Sequence, residues 1–485
     1  MILLRPDIEA YRLMRAGRFA DALPFAEEAV ERQVLCSSAH GLLATILMQL
    51  GRTEDANAVV AQALECAGGD ADAYDALAHV SMQLGEHERS NQLYRRVATI
   101  APDIPRFWYN LASSERTFGR LSEAEEACDR AIALDRTQYP SYLLRSELRL
   151  QTPEANHVDG LIQQLNRVAG DDRATMFLGY ALGKELDDLK RYDEAFYWFS
   201  TAAATRRCHL AYDVGADERK LFEIANAYPR SSAISASEAV GSRNYVFIIG
   251  LPRSGTTLLE LILSALKGVQ SRGETNDFAR ALMAAAPSGP DSIFDRAAAA
   301  DPRVVAANYE KLTQASKAGA AVLEKLPMNY LYAGAIHRAL PHAKLVLVRR
   351  DPLDSCFAMY RTLFGEGYPF SYNFDDLARY YAAFETLMEH WQQTLGNALY
   401  SVSYEELVRD PIRVGSAVAR YCGLIWSDAA IEIQNNAAVS LTASAAQIRR
   451  PIYGTSSGRW RFYRPHLEPL FRSLSRSGVT LPDDA

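Results

Sequence analysis

The chain is poor in cysteine, in uninterrupted apolar stretches and in excess positive charge, and each shortage narrows what it can be. Its six cysteines (Cys36, Cys66, Cys128, Cys208, Cys356 and Cys422) are scattered through 485 residues with no C-x-x-C pair. That pattern suits a reducing compartment and offers no zinc site. No run reaches the ~18 apolar residues of a membrane-spanning helix. The apolar start Met1-Ile-Leu-Leu4 is too short for a signal peptide, so a cytoplasmic location is expected. Lys and Arg number 52 against 59 Asp and Glu, a net charge of −7, which argues against a general nucleic-acid binder but leaves room for a local basic pocket. What remains is an ordinary soluble composition, 48% hydrophobic and 23% charged. The length suggests two to four domains of ~150 residues each.

The N-terminal half is periodic. Gly17, Gly51, Gly85 and Gly119 stand 34 residues apart. Small residues recur at fixed offsets from each glycine: Ala10, Ala44, Ala78 and Ala112 before it, then Ala22, Ala56, Ser90 and Ala124, then Ala29, Ala63, Val97 and Ala131. Small side chains let paired helices approach, and the glycine makes the turn between them. This period resembles the tetratricopeptide repeat family from about Ile8 to Arg136. Around Lys190, Gly183, Ala195 and Ala202 keep the same offsets and predict a fifth unit, out of phase, beyond an irregular stretch at Gln151–Gly170. Such arrays bind extended peptides or partner proteins on a concave face. The small polar residues between Tyr228 and Asn244 mark a boundary. The expected domains are therefore 1–227 helical array, 228–243 linker and 244–485 second domain.

In that second domain short apolar runs alternate with helical patterns. Strands are expected at Tyr245–Ile249, Gly268–Ser271, Ala320–Glu324, Lys344–Val348 and Ala398–Val402, and helices at Thr257–Leu266, Tyr330–Leu340 and Phe374–Leu395. Alternation of this kind predicts a parallel sheet covered on both faces, with ligands at the carboxyl ends of its strands. Arg253, Glu274, Lys325 and Arg350 each follow an expected strand by a few residues. The segment Gly250-Leu-Pro-Arg253-Ser254-Gly255-Thr256-Thr257 reads as a glycine-bounded turn opening a helix, a cradle for an oxyanion. Its glycine spacing matches a phosphate-binding loop, but Thr256 stands where a nucleotide triphosphatase carries Lys. Arg253 lies inside the loop instead, and its planar fork suits a phosphate or sulfate group.

From about Arg243 to Leu470 the sequence looks like a sulfotransferase that uses 3′-phosphoadenylyl sulfate (PAPS). The pieces that carry the resemblance are Pro252-Arg-Ser-Gly-Thr-Thr257, Gly273-Glu274, Glu324-Lys325-Leu-Pro327, Arg350-Asp-Pro-Leu-Asp354, Ser403-Tyr404-Glu-Glu-Leu407, and Ser444-Ala-Ala-Gln447 through Arg450-Pro451 to Gly458-Arg459-Trp460. Within that superfamily it is most similar to protein-tyrosine sulfotransferases and their bacterial relatives fused to tetratricopeptide repeats. The resemblance implies an α plus α/β chain: a helical solenoid of repeats, then a P-loop-like three-layer domain around a parallel sheet. It implies Glu274 as the general base, Arg253 and Lys325 as neutralisers of the transferring group and leaving oxygen, and Ser444 as a further hydrogen-bond donor to it. Ser254, Gly255, Thr256 and Thr257 would cradle the 5′-phosphate. Arg350, Tyr404 and Arg459, with Arg450 and Tyr453 in a closing loop, would hold the 3′-phosphate. No metal is required, because cationic side chains do that work.

The chain departs from the family's pattern at two places on the 3′-phosphate side. Ala358 stands where Ser is usual, and Thr362 where human-type relatives have Arg; Ser355 and Arg361 are the neighbours that could compensate. Read alone, Glu274 is a loop carboxylate and Lys325 a surface lysine; only their place among the motifs makes them site residues. The expected acceptor is tyrosine in a protein or peptide. A glycan, lipid or small-molecule hydroxyl is the alternative, and a non-catalytic repeat adaptor carrying a degenerate transferase domain is a third.

Overall fold

The computed structural model describes residues 5–32, 37–66, 70–229, 243–290, 292–313, 321–433 and 456–481. It divides into two compact units, 1–149 and 150–485. The first unit is a run of antiparallel helix pairs. These are α1 (Pro6–Arg15) with α2 (Phe19–Arg32), α3 (Ser37–Gln49) with α4 (Thr53–Cys66), α5 (Ala71–Gln83) with α6 (His87–Ile100), and α7 (Pro105–Phe118) with α8 (Leu121–Leu134), followed by α9 (Tyr139–Leu148). The four periodic glycines lie between paired helices with φ between 71° and 80°, the left-handed region that a side chain disfavours. The small residues at the repeat offsets, Ala10, Ala22, Ala44, Ala56, Ala78, Ala112 and Ala124 among them, are fully buried. The 34-residue period is therefore a packing period.

The second unit begins with four more helices, α10 (Val158–Arg167), α11 (Asp172–Asp188), α12 (Tyr192–Cys208) and α13 (Val214–Ala227). The α11–α12 pair is the fifth repeat expected around Lys190. Lys190 itself takes the left-handed turn conformation, φ 62°, at the place glycine holds in the other four. Gly183 faces the Phe199 ring so closely that an added Cβ would sit 2.7 Å from it. Although the repeat pattern runs on into α11 and α12, contacts group them with the sheet that follows. Tyr228, at the start of the expected linker, is buried with its ring edge-on to Trp391.

The sheet has five parallel strands: β1 (Tyr245–Gly250), β2 (Val269–Ser271), β3 (Ala321–Lys325), β4 (Lys344–Arg349) and β5 (Leu399–Ser403), in the order β2-β3-β1-β4-β5. All five agree with the sequence reading to within a residue at each end. The connections run through α14 (Thr256–Ser264), α15 (Asp277–Ala285), α16 (Ile293–Ala299), α17 (Pro302–Leu312), α18 (Ala333–Ala339), α19 (Pro352–Tyr360) and α20 (Phe374–Leu395). Beyond β5 lie α21 (Tyr404–Arg409), α22 (Pro411–Tyr421), a 3₁₀ helix at Arg459–His466 and α23 (Glu468–Arg476). Val246 and Ile248 of β1 pack with Leu259 and Ile262 of α14 and Val418 of α22. The alternate residues Tyr245 and Phe247 meet Tyr309 of α17 and Phe278 of α15 ring against ring. Period-two alternation thus covers both faces of the strand. Strand order reverses at β1, which has β3 on one side and β4 on the other. The crevice outside its carboxyl end is where such sheets bind ligands.

Candidate active site

Each of the five strands delivers one expected site residue at or just beyond its carboxyl end: Arg253 from β1, Glu274 from β2, Lys325 from β3, Arg350 from β4 and Tyr404 from β5. The loop after β1 is tightly constrained. At Gly250, φ 153°, a Cβ would lie 2.7 Å from the Val348 carbonyl oxygen; at Gly255, φ 103°, it would collide with the Tyr404 ring. Arg253 is one of three described non-glycine residues with positive φ, at 65°. Such conformations cost on the order of 1–3 kcal/mol and persist where the surroundings over-determine them. Gly255 is the N-cap of α14 with no side-chain cap, so the first-turn N–H groups of Thr256 and Thr257 keep their positive potential. Ser254, Thr256 and Thr257 are buried, and the Ser254 hydroxyl has no hydrogen-bond partner among the described residues. A buried hydroxyl left unpaired beside a helix N-terminus fits a bound anion.

Lys325 has no exposed surface. Its Nζ pairs with Oε1 of Glu274 and lies 3.6 Å from Oε2 of Glu260, a residue of α14. The backbone carries Glu274 to this partner, because Lys325 N donates to Gly273 O at 3.1 Å. Thr275 Oγ1 donates to Glu324 Oε1 at 3.2 Å, and Arg272 Nη2 to Asp277 Oδ2 at 2.6 Å. Both side chains of the segment that flanks Glu274 are therefore anchored. Glu274 itself keeps 36% side-chain exposure, enough to meet an incoming group.

Arg350 is almost buried and ties several segments together. Nη1 donates to the Arg253 carbonyl at 2.9 Å, Nη2 donates to the Ser456 carbonyl, and the guanidinium lies 4.8 Å above the Tyr404 ring. Its Nε is buried without a partner among the described residues. Asp354, one turn along α19, accepts from the backbone N–H groups of Gly458 and Trp460. Arg459, which follows, does not turn to Arg350: its Nη2 donates to Oδ2 of Asp187 on α11. Arg361 donates to the same oxygen at 2.8 Å, and Tyr463 OH to Oδ1. Burial alone would raise the Asp187 carboxyl, but Arg361, Arg459 and the Tyr463 hydroxyl outweigh it and hold the group below the usual carboxylate range. Thr362 spends its hydroxyl on the Ala358 carbonyl, at 2.8 Å. Arg361 is thus engaged by α11, and the hydroxyl of buried Ser355 reaches Arg350 O at 3.5 Å. Ser444, Arg450 and Tyr453 lie outside the described residues.

Two residues of this site, Asp187 and Glu260, went unread in the sequence, and a third, Glu324, was read only as part of a motif. Asp187 had no local signal, since its partners lie 174 and 272 residues away. Glu260 did have one, a lone charge inside the apolar run Leu258-Leu-Glu-Leu-Ile-Leu263. Glu324 likewise interrupts a fully buried strand.

Comparisons with known proteins find similarity in both parts of the chain. Residues 245–428 match the profile of the sulfotransferase family, and residues 13–80 and 76–140 match tetratricopeptide repeats. An uncharacterized protein of Aquifex aeolicus (strain VF5) is 26% identical over 76% of this chain and 50% of its own length, so the chain spans about half of that relative. Protein-tyrosine sulfotransferase 2 of Gallus gallus is 26% identical over 47% of this chain and 68% of its own. Among solved structures, the sulfotransferase domain from the curacin biosynthetic pathway aligns over 100% of its length with 50% of this chain, at 16% identity and a TM-score of 0.36. The chain joins tetratricopeptide repeats to a domain of the sulfotransferase family.

Proposed function

We propose that the chain transfers a sulfuryl group from PAPS to a hydroxyl, and that its acceptor is tyrosine in a protein or peptide. The observation that carries the reading is the ion pair of buried Lys325 with partly exposed Glu274, standing beside an anion cradle in which the Ser254 hydroxyl is unpaired among the described residues. In this reading Glu274 leaves Lys325 and takes the proton of the acceptor O–H. The acceptor oxygen attacks sulfur as the bond from sulfur to the bridging oxygen breaks, and adenosine 3′,5′-bisphosphate leaves with the electron pair. Lys325 and Arg253 meet the charge that builds on the bridging and sulfuryl oxygens, where pre-placed cations act most strongly. A phenol, pKa ~10, is within reach of a carboxylate base. Ser254, Gly255, Thr256 and Thr257 cradle the 5′-phosphate. Arg350, Tyr404 and Arg459 hold the 3′-phosphate side. The repeats and the printed name of the Gallus gallus relative support a protein acceptor.

Calorimetry with adenosine 3′,5′-bisphosphate and with ATP tests the donor: binding of ATP and not of the bisphosphate would sink the proposal. Transfer of labelled sulfate to an acidic tyrosine peptide tests the acceptor; transfer to a sugar or small phenol alone would move the acceptor class. Glu274→Gln is expected to lower kcat by about 10²–10⁴-fold, the usual worth of a general base, while bisphosphate affinity stays within about threefold. Loss of both together would make Glu274 structural.

A further inference from the structure

Glu260 is a carboxylate that the transfer step as written does not use. It lies one turn into α14, beyond the anion cradle at the start of that helix, and its side chain is 12% exposed. Its Oε1 accepts from Ser271 Oγ at 2.7 Å, and the same Ser271 oxygen accepts from Gly273 N at 3.0 Å. Its Oε2 faces Lys325 Nζ at 3.6 Å, and Lys325 N donates back to Gly273 O. A closed circuit results, from the cradle helix through the end of β2 and the Glu274 loop to β3 and back. Burial pushes the Glu260 carboxyl up, Lys325 and Ser271 pull it down, and Glu274 pushes it up again.

An ammonium with no exposed surface needs a counter-ion at every stage of the reaction. In the resting arrangement Lys325 has two among the described residues. Once Glu274 takes the acceptor proton it becomes a neutral acid, and its attraction for Lys325 is gone. Beside the donor's own anionic oxygens, Glu260 is the carboxylate that remains next to Lys325 among the described residues. We infer that Glu260 is a positioning residue of the transfer step, keeping Lys325 charged and aimed at the donor while Glu274 turns to the acceptor hydroxyl. No proton passes to Glu260; it supplies a fixed charge and a fixed loop. The inference rests on the transferase reading above.

Glu260→Gln keeps the shape and an acceptor for Ser271 and removes the charge. The expected result is a fall in kcat of at least about tenfold, with PAPS KM and bisphosphate affinity by calorimetry within about threefold of wild type. Glu260→Asp, which keeps the charge, is expected to recover part of that loss. An unchanged kcat in Glu260→Gln overturns the inference, and so does joint loss of kcat and bisphosphate binding, which marks a structural residue. A cycle of Glu260→Gln, Lys325→Met and the double variant, followed by thermal unfolding, reads the pair without any turnover. The double variant is expected to lose less Tm than the two single shifts combined; strictly additive shifts overturn the inference. If the wild type transfers nothing from PAPS, the transferase reading fails, while the cycle still reports whether Glu260 and Lys325 are coupled.

Discussion

Lys325 and Glu324 are neighbours on β3 and serve opposite faces of the sheet, as strand alternation requires. Lys325 points to Glu260 and Glu274; Glu324 is held by Thr275 and lies 3.9 Å from Arg272. Burial pushes the Glu324 carboxyl up from 4.5 to about 7; Asp277 adds to the rise, and Tyr309, Arg272 and Thr275 oppose it. A carboxyl whose folded pKa is raised favours the folded state while it is protonated. Its contribution is full below the unfolded value, near 4.5, and fades as pH climbs through about 7. Glu324→Gln should therefore be more stable to unfolding than wild type at pH 8.5, by up to about 3 kcal/mol, and the gap should close by pH 4.5. Denaturant unfolding at the two pH values checks this; an equal gap at both would contradict it. Single residues were partly legible in advance. Arg253 could be read because a loop motif surrounds it, whereas Glu324 was seen only as part of a motif, its opposite-facing role being hidden until Tyr309 and Arg272 came beside it.

Among elements, α11 shows how a repeat helix becomes part of a site. Its small-residue pattern packs it on α12 in the manner of the other pairs, with Gly179 and Gly183 against Ala202 and Phe199. Near its C-terminal end Asp187 reaches out of that pattern to Arg361 and Arg459. Removing one partner from a buried ion pair typically costs about 3–5 kcal/mol, because charges are left uncompensated. Asp187→Ala is expected to destabilise the chain by about that amount and to weaken bisphosphate binding, since the 3₁₀ helix carrying Arg459 loses its hold. The exposed pair between Asp193 and His466, 2.6 Å apart, is the contrast: Asp193 is 88% exposed, and its replacement by Ala should change stability by no more than about 0.5 kcal/mol. Urea unfolding and calorimetry on both variants test the distinction. Strand boundaries were readable because hydrophobic period and glycine placement are local, whereas the helix expected at Tyr330–Leu340 is a 3₁₀ turn to Tyr332 and α18 only from Ala333. The service of α11 to the sheet was not, because a carboxylate and a guanidinium 272 residues apart leave no mark in either neighbourhood.

For the whole molecule, the question is where the unit that contains the sheet starts. The sequence places a boundary at 228–243, where composition turns small and polar; the compact unit that contains the sheet starts at Leu150. Between those points lie Asp187, Glu218, which pairs with Arg379 of α20, and Tyr228, whose carbonyl lies 2.8 Å from His390 Nε2. Residues 150–485 alone are expected to bind adenosine 3′,5′-bisphosphate with the affinity of the full chain. A chain begun at Arg243 is expected to be insoluble or to melt without a cooperative transition, because α20 loses the cover of α13. Circular dichroism melts and calorimetry on the two truncations decide this; a well-folded, bisphosphate-binding 243–485 would refute it.

By itself the sequence determined the repeat period, the order of strands and helices, and the loop after β1, since each depends on neighbours along the chain: glycines that permit left-handed turns, alternation that sets strand faces, small residues that set helix spacing. The tertiary structure alone decided which charges meet. Strand order placed Lys325 and Arg350 on either side of β1, burial made Lys325 dependent on Glu274 and Glu260, and the docking of α11 turned Arg361 and Arg459 toward Asp187. Electrostatic partnership depends on distance through space and on the loss of water, and neither quantity is written in the spacing of residues along a chain.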